Sequence, residues 1–275
     1  MSSIGSVLNS SINHLNSANK TTNKYLQQIA TGSKINSAAD DPATYAITRR
    51  MQSRIGSVAQ ANANTQTSNA KLSVAAGGVD ATVNALSSLR EQLVNAANGT
   101  NSTTDLAALQ ESVNQTVATI NENVSNSQYN GQTLLDGSQS VEVAGPDGFT
   151  TNLNLGDMSS TALGLTDAQG NSTINLTDSA SINSALTTVD NALNSALEQA
   201  TSIGAAQQGL TFQSSNYTVE EENLTAAETN MSGTNMAEAA TKMKSAQAQE
   251  QLALFALKSG MQQQQQRVSA LSLLS

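Results

Sequence analysis

Residues 236–271 read MAEAATKMKSAQAQEQLALFALKSGMQQQQQRVSAL. Within them Met236, Ala240, Met243, Gln247, Glu250, Leu254, Leu257, Met261, Gln264, Val268 and Leu271 advance by alternate steps of four and three. That spacing keeps one ridge of an α-helix against a partner helix, as in a coiled coil. The run from Gln262 to Gln266 falls inside the same frame and is read as helix, the alternative being a disordered polar tract. A sustained ridge of this kind points to long helical rods.

The other end of the chain carries a matching ridge. Ile4, Leu8, Ser11, Leu15, Ala18, Thr22, Tyr25 and Ile29 repeat the same steps, and Gly32 supplies a helix stop. Residues 33–41 read as a linker that ends in a helix start. Asp41 can cap the next helix while Pro42 occupies its first turn, where a missing N–H costs nothing, and Asp40 adds favourable charge beside that terminus. Capping is the reading of Asp40–Asp41, over an acid/base or cation role.

From Pro42 a helical pattern runs to Asn98–Gly99, with Ile47, Met51, Ile55 and Val58 on one stripe and Leu72, Val79, Val83, Leu86 and Leu93 continuing it. The Ser/Thr cluster at 102–104 caps another helix bearing Leu106, Leu109, Val113, Val117, Ile120 and Val124. After Tyr129-Asn130-Gly131 the period changes. Val141 and Val143, then Phe149, Thr151, Leu153 and Leu155, alternate around the turn cluster Ala144–Gly148, which predicts a β-hairpin. From there to about residue 180 the pattern determines little. Helix returns with Ile182, Leu186, Val189, Leu193 and Leu197 and continues to about Asn230, with Gly204 and Gly209 weakening it. Glu220-Glu221-Glu222 reads as a solvated helix face, and Ser232-Gly233 as a break. The fold class expected is mainly α: long antiparallel helical rods, terminal coiled-coil helices and a small β-hairpin region.

Composition excludes several classes. With no Cys and one His among 275 residues, no disulfide framework, thiolate site or multi-histidine metal centre is available. His14 lies on a terminal helix and reads as a surface residue; no P-loop, HExxH or dinucleotide fingerprint accompanies it. No enzyme activity, cofactor or metal is expected. A formal charge of −9 opposes binding to nucleic acid or an anionic membrane, and no apolar run reaches the roughly 18 residues of a membrane span. The opening residues lack a secretory h-region, a rule that taken alone assigns the chain to the cytosol. Asn-x-Ser/Thr triplets at Asn98, Asn101, Asn175 and Asn223 are expected by chance in so Asn- and Ser-rich a chain, and no N-glycosylation is assigned.

The two terminal ridges are too polar to be stable alone, because their apolar side chains are sparse against the entropy of ordering each helix. Pairing the two covers only one stripe of each. Neighbouring copies are the natural cover for the rest, which predicts tails that order on assembly. A low charge density suits close packing of copies, and a heterologous contact that does not close gives a filament.

At both ends the chain resembles bacterial flagellin. The residues that carry the likeness are Ile29–Ala38, then Asp40-Asp41-Pro42-Ala43 and Ala46-Ile47, Leu89-Arg90-Glu91, the turn from Asn98 to Leu106, and Tyr129-Asn130-Gly131. It resumes from about Ala196 to the closing Ser269–Ser275, where family members often end in Arg. The resemblance implies an inner coiled-coil domain built from 1–36 and 231–275, and an outer helical domain, 37–230, with the hairpin region at about 137–180, a minimal two-domain form. It implies an assembly interface of Ile4, Leu8, Leu15, Tyr25, Ile29, Met236, Met243, Leu254, Leu257, Met261, Val268 and Leu271, with Asp41 and Pro42 as the helix cap.

The function implied is a structural subunit that polymerises into the extracellular bacterial flagellar filament for swimming motility. Its implied partners are further copies of itself, the flagellar export apparatus and an export chaperone, and the filament cap and hook-junction proteins. Export proceeds without a cleaved signal, and O-linked modification of exposed Ser/Thr around 137–180 fits the family. Many flagellins bind an animal innate immune receptor through an Arg and a Leu in the stretch that here spans Leu86–Asn95. Alignment on Leu89-Arg90-Glu91 puts Ser88 and Gln92 at those positions, beside Arg90, so binding is expected to be weak. The alternatives are a hook–filament junction protein, which shares the Asp-Asp-Pro signature, and a surface glycan-binding adhesin, for which 137–180 offers only Phe149 as a stacking platform.

Overall fold

Among the described residues five helices form where the two ridges and the three middle helical patterns place them: α1 (Ser2–Thr31), α2 (Pro42–Ala96), α3 (Thr103–Asn126), α4 (Ser179–Ser232) and α5 (Met236–Ser272). The computed structural model describes the backbone of residues 2–148 and 150–272, and the side chains of 8–148, 150, 152–269. Ile4 and Leu271 of the expected interface, the expected strand positions Phe149 and Thr151, and the closing Leu273–Ser275 therefore have side chains outside the described residues.

Local chemistry sets the helix ends. Gly32 terminates α1 with φ +69°, a conformation that a β-carbon disfavours. Asp41 opens α2: its Oδ1 accepts from the amides of Ala43 and Thr44, both at 3.1 Å. Ser102 opens α3 in a capping box, accepting from the Asp105 amide while the Asp105 carboxylate accepts from the Ser102 amide. Both Gly204 and Gly209 sit within an unbroken α4.

Two strand pairs interrupt the helices. β1 (Gln128–Tyr129) and β2 (Gln132–Thr133) pair across Asn130-Gly131. Both turn residues have positive φ, 51° and 76°, the geometry that matches the twist of a two-residue hairpin. The sequence reading used Asn130-Gly131 only as a change of pattern, although Asn-Gly is itself a hairpin signal. β3 (Ser140–Ala144) and β4 (Thr150–Asn154) form the expected hairpin, with Val141 opposite Leu153 and Val143 opposite Thr151; Val141 and Val143 point inward.

Contacts divide the chain into two units, residues 1–55 with 223–275, and residues 56–222. The division falls inside α2 and α4, whereas the sequence reading drew its boundaries at the loops near 36 and 230.

In the unit 56–222, α2 and α4 run antiparallel, as Asn62–Ser214, Ser73–Gln207 and Arg90–Asp190 pair in reverse order. The core is continuous: Leu72, Leu86, Leu89 and Leu93 from α2, Val113, Val117 and Ile120 from α3, and Val189, Ala196 and Ile203 from α4 are all buried. Residues 155–178, which the sequence pattern left undetermined, pack tightly against this core. Leu155, Met158, Leu163, Leu165, Ile174 and Leu176 are buried there. The turns between them are held by side chains, such as the Ser160 and Thr166 hydroxyls at 2.8 Å and the Asp167 carboxylate accepting from the amides of Gln169 and Asn171. Such packing has no period to read. Two expected stripe members face solvent instead, Leu197 here and Ile47 in the other unit.

Candidate assembly surface

The unit formed by 1–55 and 223–275 pairs α1 with α5. The direction is antiparallel: Leu8 lies beside Gly260, and Lys242 stands over the Tyr25 ring at 5.9 Å. On α1 the described seam follows the predicted spacing as far as Tyr25, after which Gln28 is the buried residue, with Ile29 beside it. Ser11 and Ala18 are buried, and Leu8, Leu15, Thr22, Tyr25 and Ile29 are half-buried.

On α5 the seam is turned from the expected ridge. Ala239, Ala246 and Ala253 are buried, with Met243, Glu250, Leu257 and Gly260 half-buried between them. These positions also alternate steps of four and three, but Ala239, Ala246, Ala253 and Gly260 stand in place of Ala240, Gln247, Leu254 and Met261. Small residues let two helices approach closely, and the larger side chains then rotate to the flanks. The readable signal was a small residue at every seventh position from Ala239 to Gly260.

As a result, several of the predicted interface residues are uncovered in the single chain. Met243 and Leu257 touch the seam, whereas Met236, Leu254, Met261 and Val268 are exposed. Leu252 and Phe255 join them at 68% and 73% exposure. A chain with 3% aromatic residues thus leaves one of its three phenylalanines almost bare on a terminal helix. Large uncovered apolar patches mark interaction sites.

The breaks after α1 and before α5 meet. Ser33 and Gly233 form an antiparallel bridge; the Lys34 amide donates to the Ser232 carbonyl at 2.7 Å and the Thr234 amide to the Gly32 carbonyl at 2.9 Å. Beside it Gln52 donates to the Glu228 carboxylate, which also accepts from the Ser232 hydroxyl at 2.8 Å. Sequence reasoning identified both breaks but not their pairing, since nothing local in either tells of the other.

The Asp-Asp-Pro segment is a structural joint. Burial pushes the Asp40 carboxyl up, but the amides of Asn36 and Ser37, the Ser37 hydroxyl and Lys24 at 3.5 Å outweigh it and hold the group below its ordinary value. The Thr44 hydroxyl, at 2.6 Å, and its amide lower Asp41 in the same sense. Both carboxylates are consumed by capping and turn bonds.

In the other unit, Ser88 is exposed, and Arg90 is paired with Asp190 at 2.7 Å. Gln92 is half-buried and donates to the Thr116 hydroxyl at 3.1 Å. His14 stands exposed on α1, and among the described residues no group of three or more His, Cys, Asp or Glu could hold a metal ion. No described helix is long and apolar enough to cross a membrane.

Comparison with known proteins finds matches at both ends of the chain. Residues 6–140 match the family described as the bacterial flagellin N-terminal helical region, and residues 186–274 the bacterial flagellin C-terminal helical region. The flagellar filament 33 kDa core protein of Treponema phagedenis is 30% identical over 212 residues, 72% of this chain and 74% of its own. A flagellin of Bacillus subtilis is 28% identical over 236 residues, 74% of this chain and 78% of its own. Among solved structures, one described as a flagellar hook-associated protein of Vibrio parahaemolyticus superposes with a TM-score of 0.60 at 16% identity, over 70% of this chain and 100% of its own. At that identity the likeness is one of fold.

Proposed function

We propose, from the premise that this chain belongs to the bacterial flagellin family, that its uncovered α5 ridge and the paired tails are the inner contacts of a polymer. Flagellins are non-enzymatic structural subunits that polymerise into the extracellular flagellar filament for motility, and this chain is one of them. The observation that carries the assignment of the surface is the pair Leu252 and Phe255, bare on the side of α5 turned away from its seam, with Leu254, Met261 and Val268 exposed along the seam's flank. Cover for these side chains comes from neighbouring copies, and the tails gain their full order as those copies arrive.

Assignment of inner and outer domains follows the same logic. The tails, 1–36 and 231–275, form the inner part and the helices of 37–230 the outer part. An export apparatus and chaperone, a filament cap and hook-junction proteins complete the set of partners, since each must recognise the same chain before, during or beside assembly. Cofactors play no part in the proposal.

The test is elongation. Purified chain added to sheared filament fragments should extend them into filaments visible by electron microscopy, with thousands of copies per organelle in cells. A single ring of copies at the hook would favour the junction-protein reading instead. Failure to extend any seed would overturn the assignment.

A further inference from the structure

Charge is divided unevenly between the two units. Of 12 Lys and Arg, only Lys71 and Arg90 lie within 56–222, against 16 of the 21 Asp and Glu. That stretch carries a formal charge of −14 and the rest of the chain +5. Complementary charge between surfaces sets register and partner choice when they meet.

Each unit also leaves an apolar stripe without cover. On α4, within 56–222, Ile203, Leu210 and Tyr217 face the core at intervals of seven. The opposite side of the helix presents Phe212 and Val219, exposed by 69% and 56%. Glu222, three residues beyond Val219, is exposed on that same side and makes no ion pair with any described residue. On α2, within 1–55, Ala43, Ile47 and Arg50 share one exposed face, at the three- and four-residue spacing of helical neighbours. Arg50 has no hydrogen bond or ion pair to the described residues. One stripe is therefore apolar with a free acid beside it, and the other apolar with a free guanidinium.

We propose that the Ile47–Arg50 face of one copy docks on the Phe212–Val219 face of the next copy, with Arg50 against Glu222. This deepens the filament reading and rests on it. A polar filament repeats heterologous contacts, so two different faces on one chain are what its lateral joints require. An exposed aromatic beside an apolar neighbour makes the anchor, and the charges at its edge fix the register.

The experiment uses full-length chains and seeded elongation, read as the critical concentration for growth. Arg50→Glu alone and Glu222→Lys alone should each raise that concentration about ten-fold or more, because like charges then meet. The chain carrying both changes should return to within about three-fold of the unaltered one. Phe212→Ser should raise it with no change in monomer melting, since the side chain is exposed; matching circular dichroism for every variant confirms that each folds. Unaltered growth in the single-sided variants, or a double variant that stays impaired, overturns the proposal. Loss from Phe212→Ser without loss from charge reversal means that another partner covers the stripe, and overturns it too. If the unaltered chain extends seeds while these variants behave as unaltered, this contact alone is refuted; if the unaltered chain never extends them, the filament reading falls with it.

Discussion

Ser33 and Gly233 face each other across an antiparallel bridge, so the end of α1 and the start of α5 are tied by backbone hydrogen bonds. A β-carbon at Gly233 would run into the Thr229 carbonyl, which the Gly233 amide itself engages at 2.7 Å. Gly233→Ala is therefore expected to open the bridge. In assembled filaments, amide exchange at Lys34 and Thr234 should quicken about ten-fold or more while protection in 56–222 stays unchanged. Equal protection in variant and parent would show that the tails hold together without the bridge.

Adjacent glycines in α2 should respond in opposite directions. A β-carbon at Gly77 meets nothing within 4 Å, whereas at Gly78 it meets the Ser127 side chain and, at 2.7 Å, Leu135 Cδ1. Gly77→Ala should stabilise the monomer by roughly 0.5–1 kcal/mol through helix propensity. Gly78→Ala should destabilise it by about 1–3 kcal/mol through overpacking. Urea midpoints of the two variants decide the matter.

Acid should loosen the start of α2. The Thr44 hydroxyl and amide favour the ionised Asp41, so its carboxyl sits below the ordinary 3.8 when folded. A carboxyl depressed by folding lends its full stabilisation above that ordinary value and loses it as pH falls through the folded value. Asp41→Asn keeps an oxygen acceptor for the cap but cannot titrate. Protection of the Ala43 and Thr44 amides should fall below pH 4 in the parent and remain level in the variant; parallel losses in both would place the acid effect elsewhere.

Core and ridge should separate cleanly under truncation. Leu93→Ala removes a fully buried side chain and should cost about 2–5 kcal/mol of monomer stability. Phe255→Ala removes an exposed one, leaving the monomer melting curve in place while slowing seeded growth. A large fall in monomer stability from Phe255→Ala would mean that the ring is covered within the single chain.

Weak recognition by the innate receptor is expected, because at the positions aligned with the family's Arg and Leu stand Ser88 and Gln92, neither a guanidinium nor an apolar anchor. Purified monomer should barely activate reporter cells that respond to other flagellins, and Ser88→Arg with Gln92→Leu should raise the response. Strong activation by the unaltered monomer would contradict this.

The helices were legible wherever a period ran long enough to name a face: the α1 seam, the stripe from Leu72 to Leu93, Val113 to Val124 on α3. Caps were legible too, because Asp41-Pro42 and Ser102 act within a turn of themselves. The segment 155–178 was not, since Leu165, Ile174 and their neighbours reach the core from turns with no repeat to betray them. Nor was the phase of α5. Its pattern supports two neighbouring ridges, and choosing between Ala246 and Gln247 depends on how closely a second helix approaches.

Sequence by itself determined that this chain is a set of long helices with a ridge at each end, because hydrophobic spacing, caps and stops are local properties of the backbone. Only the tertiary structure decided which side of α5 faces α1, that Ser33 meets Gly233, and that Phe212 and Phe255 are left bare. Those outcomes depend on contacts between residues far apart in the chain, whose free energy arises only when both sides are present.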